Sequence, residues 1–104
     1  MALTRDFKQT VRERAQHDPA FAKAILREAA SLFLNGDPAT ARLILRDLVN
    51  ATVGFEALAV QTGRPSKSLH RMLSASGNPG MDNLAAIFDA LRANLQVDFE
   101  VHAV

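Results

Sequence analysis

The chain contains no cysteine among its 104 residues. That absence removes disulfide frameworks, thiolate zinc sites and cysteine nucleophiles, and it fits a reducing cytoplasm. No basic-then-apolar stretch opens the sequence, and no apolar run approaches the roughly 18 residues that a membrane span requires. The expectation is a soluble, cytoplasmic protein. Net charge is nearly absent too, with 12 Lys and Arg against 11 Asp and Glu. Bulk electrostatics therefore does not announce a nucleic-acid partner. The more informative gap is local. No acidic residue lies between Glu56 and Asp82, while Arg64, Lys67 and Arg71 in that interval are all cationic. From Asp82 onward the balance reverses, with Asp82, Asp89, Asp98 and Glu100 against Arg92. A short charged face is as often merely solvated as it is a binding surface, so the local fold has to decide.

With 48% apolar residues, the chain can bury one real core without metal or disulfide staples. Its length suits a single domain. Helix signals dominate. Thr4 is placed to cap a first helix with Phe7, Val11 and Ala15 on one narrow stripe, ending near Gln16. Asp18-Pro19 combines a side-chain acceptor for free amides with a proline at the first helical position, and Asn35-Gly36 supplies a left-handed stop after Leu34. Asp37-Pro38 repeats the start signal for a helix with Ala41, Ile44, Leu45 and Leu48 inward. The two openings resemble each other, which fits either a duplication or, more cheaply, shared capping and amphipathic spacing. Two short helices are predicted over Phe55 to Thr62 and Pro65 to Ser74, followed by a loop containing residues 76–80. A last helix, capped by Asp82, carries Leu84, Ile87, Phe88 and Leu91. After Arg92 the period changes from 3.6 to 2. Leu95, Val97, Phe99 and Val101 alternate with polar residues, the pattern of a strand with one buried face.

The segment from Phe55 to Ser74 fits a helix-turn-helix. Leu58 is a core anchor of the first helix, and Ala59 is small where the two helices cross. Gly63 falls at the turn, where positive φ is needed and a residue without Cβ adopts it freely. Leu69 and Met72 return to the core. Ser66, Lys67, Ser68, His70 and Arg71 are left on the outer or leading face of the second helix, all donors or cations. A helix lying in a major groove between two phosphate rails needs such a face. Arg64 and Asn78 are placed to reach the backbone. An ordinary helical hairpin in a small bundle is the rival reading, since it also favours alanine and glycine at a tight crossing.

Other chemistry is poorly supported. Residues 63–68 lack the preceding strand and the spacing of a phosphate loop. His17, His70 and His102 have no metal-ligand spacing. There is no nucleophile elbow and no paired carboxylates, so neither an enzyme nor a cofactor or metal site is expected.

From Gly36 to Val101 the chain resembles the HigA-like addiction-module antidote proteins, a branch of the Xre/Cro-type helix-turn-helix regulators. The resemblance rests on Gly36-Asp37-Pro38, Ile44-Leu45-Arg46-Asp47 and Leu58-Ala59 with Gly63. It continues through Ser68-Leu69-His70-Arg71-Met72-Leu73-Ser74, Gly77-Asn78-Pro79, Leu84, Ala90-Leu91, Leu95 and Val97. Arg64, His70 and Arg92 stand where that family favours an aliphatic residue, tyrosine and glycine. The resemblance implies an antitoxin that represses its own operon as a homodimer on a palindromic double-stranded operator and binds a RelE/ParE-like toxin. The combined expectation is an all-α, five-helix domain with a repressor-like helix-turn-helix and one C-terminal β-strand. It comprises an N-terminal helical extension (1–36), the helix-turn-helix core (37–93) and the strand (94–104). The strand's dimer-interface residues would be Leu95, Val97, Phe99 and Val101, pairing across a two-fold axis to set two recognition helices about 34 Å apart. Folding back over the chain's own helices is the alternative. The rival functions are a stand-alone repressor without a toxin and a protein-interaction module that has kept the fold.

Overall fold

The computed structural model of the chain describes residues 12–104. Five helices are complete there: α1 (Pro19–Leu34), α2 (Pro38–Ala51), α3 (Phe55–Thr62), α4 (Ser66–Met72) and α5 (Met81–Leu95). Residues 12–17 are helical as well. The all-α expectation therefore holds, while Thr4, Phe7 and Val11 of the expected first helix lie outside the described residues. No helix among the described residues is long and apolar enough to cross a membrane.

Both Asp-Pro starts work as their chemistry dictates. The Asp18 Oδ1 accepts from the Phe21 amide at 3.1 Å, and the Asp37 Oδ1 from the Thr40 amide at 3.2 Å. Each satisfies a donor that the first helical turn would otherwise leave open. α1 stops where Gly36 turns to φ 92°, letting the Asp37 amide reach back to the Leu32 carbonyl at 2.8 Å. Four helix boundaries shift. Pro65, expected as the first helical residue, is the cap before α4, and that helix ends at Met72. The cap of α5 is Gly80, so Asp82 sits in its first turn. That helix continues past Arg92 to Leu95.

α1 and α2 make the broadest helix pair, and α3 and α5 close the bundle over them. Leu26, Leu45, Leu48, Leu58, Leu69, Leu73, Ile87 and Leu91 are fully buried. Removing each such side chain from water contributes about 1.5–3 kcal/mol. Residues 12–17 join this core through Ala15, and Arg12 lies 3.7 Å from Asp47 of α2.

The expected C-terminal strand is absent: among the described residues there is no strand at all. Leu95 instead completes the last turn of α5, one turn beyond Leu91. Gln96 then adopts φ 55°, ψ 49°, and the Val97 amide bonds the Arg92 carbonyl at 3.1 Å. Val97 packs on the core, while the Phe99 ring meets Phe88 edge-on, 6.1 Å between centroids. Arg92 ties the tail down, donating to the Val97 carbonyl at 3.4 Å and the Asp98 carboxylate at 2.9 Å. Leu95, Val97 and Phe99 thus find partners on the chain's own helices, while Val101 stays largely exposed. One-sided burial, which the period of two announces, here needs no ladder.

Candidate nucleic-acid interface

The α3–α4 unit is built around buried Leu58, Leu69 and Leu73. Gly63 makes the turn in the left-handed region at φ 67°, ψ 25°, and the Arg64 amide closes it on the Ala59 carbonyl at 3.2 Å. Ala59 and Met72 are half-buried against the core. With these inward, α4 presents the remaining side chains outward. Lys67 and Arg71 are exposed, and Ser66 and Ser68 are half-buried. Lys67 and Arg71, four residues apart, share one face. Neither has a carboxylate within ion-pair distance among the described residues. A pair of exposed, uncompensated cations on one helix face is suited to anionic partners.

Two of the expected contact residues are engaged inside the protein. The His70 ring, on the exposed side of α4, stacks on Phe55 at 3.8 Å between centroids and 19° between planes. Much of one ring face is therefore occupied in holding α4 to the start of α3. Arg64 is half-buried. Its Nε donates to the Asn83 side-chain oxygen in the first turn of α5, and its Nη1 to the Thr62 carbonyl at 2.7 Å. Where an aliphatic residue would enter the core, this guanidinium lies along the surface and bonds across it. Asn78 is exposed in the loop beyond α4, beside an apolar groove.

Sequence reasoning missed Arg42. From α2 it crosses to the loop after α4, its Nε donating to the Ser74 carbonyl at 3.4 Å and its Nη2 to the Ala75 carbonyl at 3.2 Å. Its position 32 residues upstream left no local pattern to find. Gly77 was read as part of a loop and of the Gly77-Asn78-Pro79 element of the resemblance, with no packing role. It is buried, and a Cβ placed on it would run into the Met72 carbonyl and stand 2.6 Å from the Arg71 carbonyl. The signal available was the Gly-Asn-Pro triplet itself.

The second notable surface is a groove of about 590 Å³ between the end of α1, the start of α5 and the tail. Phe33, Phe88, Phe99 and Val101 line it, and Asn78 is its one polar side chain among the described residues. Leu34, Met81 and Val101 on its rim are 63%, 86% and 73% exposed. Among titrating groups, Arg92 beneath the tail is held above its ordinary pKa, chiefly by its hydrogen bond to Asp89, with Asp98 adding to the effect. Compared with protein-family models, curated proteins and solved structures, the chain matches none.

Proposed function

We infer that this protein is a sequence-specific DNA-binding regulator of the helix-turn-helix class that reads DNA with α4. The observation that carries the reading is the outer face of α4. Lys67 and Arg71 stand exposed one turn apart, with no ion-pair partner among the described residues, on a helix displayed by a left-handed glycine turn. Ser66 and Ser68 lie beside them on the same short helix, and Asn78 is exposed in the loop that follows. The test is DNA binding by Lys67→Ala and Arg71→Ala across salt concentrations, together with melting curves. A base contact is worth about 1–3 kcal/mol, whereas losing a phosphate contact lowers the salt slope by about one unit. Both variants should melt like the parent and bind more weakly. Unchanged affinity in both would remove α4 from the groove.

The resemblance to HigA-like antidote proteins makes a cytoplasmic antitoxin, repressing its own operon, the more specific form of this reading. A toxin-sized reading frame beside the gene, whose product co-purifies with this chain, is the corresponding test. Its absence favours a stand-alone repressor.

The apolar groove supports a two-fold dimer. Soluble proteins rarely leave this many large apolar side chains clustered in water, and a palindromic operator needs two copies. A second copy would cover Leu34, Met81 and Val101 and pair with the tail, whose backbone beyond Val97 makes no ladder among the described residues. Removing residues 98–104 keeps Leu95 and Val97 in place and should turn a dimer into a monomer by mass in solution. A truncated chain that stays dimeric would exclude the tail from the interface.

A further inference from the structure

The geometry points to Arg42 and Asn83 as positioning residues that hold α4 at its two ends for DNA reading, an inference that rests on the DNA-binding reading above. α4 is short, only seven residues; its N-cap, Pro65, gives no side-chain bond, and at its C-terminal end the local side-chain support is the Ser74 hydroxyl donating to the Arg71 carbonyl at 2.7 Å. Two guanidinium ties add to this and reach beyond the α3–α4 unit. At its leading end, Arg64 in the turn bonds to Asn83 of α5. At its trailing end, Arg42 of α2 bonds to the Ser74 and Ala75 carbonyls. Each tie joins the reading helix to a longer helix of the bundle, and each uses the fork of the guanidinium to grip two groups at once. Arg64 holds Asn83 and the Thr62 carbonyl, while Arg42 holds two successive carbonyls.

The location of these carbonyls gives Arg42 its leverage. Ser74 directly follows the residues that close α4, and its own amide bonds the Arg71 carbonyl at 3.2 Å. The Ser74 carbonyl in turn accepts from the Gly77 amide at 3.0 Å. Arg42 therefore grips the segment that sets where Arg71 sits and where the loop with Asn78 leaves the helix. Direct readout depends on donors held within a fraction of an ångström of the base edge, so a freed end should cost discrimination more than bulk attraction. The ties are partly exposed, and their loss should leave the fold standing on its buried leucines.

The experiment takes a duplex selected from a random-sequence pool by the full chain, and compares its affinity with that of mixed-sequence duplex. The variants are Arg42→Met, Arg42→Lys and Asn83→Ala. Arg42→Met and Asn83→Ala should each reduce the ratio of selected to mixed-sequence affinity by about tenfold, within the range of couplings between contacting groups. The salt slope should stay at the parent's value. Arg42→Lys should recover part of the ratio, because an ammonium keeps the charge and donors but lacks the rigid fork whose separate nitrogens meet the two carbonyls. In the Arg42 variants, amide exchange at Ser74 and Gly77 should quicken even without DNA. A salt slope lower by one unit in Arg42→Met would make Arg42 a phosphate contact and overturn the proposal. So would an undiminished ratio in both Arg42→Met and Asn83→Ala. If Arg42→Met fails to fold, Asn83→Ala decides. A parent chain that selects no sequence overturns the DNA-binding reading itself, and the positioning role falls with it.

Discussion

Two glycines flank α4, and they are there for opposite physical reasons. Gly63, before α4, sits at φ 67° with nothing within 4 Å of where a Cβ would stand. Gly77, after α4, has no positive φ but lies buried with its Cβ position filled by the Arg71 and Met72 carbonyls. The first position needs backbone freedom and has room to spare. The second needs room and asks nothing unusual of the backbone. One residue type thus solves a torsional problem at the leading end of α4 and a steric one at the trailing end. The difference predicts which replacements each site tolerates.

The largest effect is expected at Gly77. Alanine there must displace main chain, because both obstructing atoms are backbone carbonyls at the end of α4. Overpacking usually costs about 1–3 kcal/mol, and an obstacle that cannot rotate away places Gly77→Ala near the upper end, about 3 kcal/mol. Urea denaturation measures it. A loss below that of Gly63→Ala would break the comparison, since it would mean the loop yields more easily than the turn.

At Gly63 the cost should follow torsion alone. Valine, β-branched and at positive φ, should lose about 2 kcal/mol, and alanine about 1 kcal/mol. Asparagine tolerates the left-handed region and should lose least of the three. The same substitution at Gly77 should be as damaging as alanine or worse, since its side chain meets the same carbonyls. Reversal of that order between the two sites, read from denaturation midpoints of four variants, sharpens the distinction between strain and space. If asparagine proves as harmful as valine at residue 63, space and not torsion governs that turn as well.

These glycines also mark how far a sequence can be read. Gly63 was legible because positive φ in a turn has a local signature, flanked by two amphipathic runs. The Asp18 and Asp37 starts were legible for the same reason: acceptor, proline and first turn all lie within three residues. Lys67 and Arg71 were placed outward by helical spacing, and the structure leaves them exposed. What stayed hidden depends on distant partners. Arg42 meets Ser74 and Ala75 only because α2 passes the end of α4. Arg64 looked available to a phosphate until Asn83 of α5 came beside it, and His70 until Phe55 lay under its ring. The tail misled in another way. Its period of two was real, but alternation specifies one buried face and is silent on whether a neighbouring strand or a helix does the burying.

A third turn provides the smallest test, and the cleanest one for torsion. α1 and α5 end in the same hydrogen-bonded loop, in which an amide reaches back five residues. Asp37 bonds Leu32 after Gly36, and Val97 bonds Arg92 after Gln96. Gly36 meets the left-handed requirement at φ 92°, while Gln96 meets it at φ 55° with a full side chain. A non-glycine residue in that region costs about 1–2 kcal/mol, part of which glycine would return as extra freedom in the unfolded chain. Gln96→Gly should therefore stabilise the protein by about 0.5–1 kcal/mol. The side chain is exposed and makes none of the tail's ties, which come from Arg92. The gain should appear in the denaturation midpoint with no change in DNA affinity, because the turn lies away from α4. A variant that melts below the parent would show that the Gln96 side chain supports the tail in solution, and that the two helix ends are alike only in their backbone.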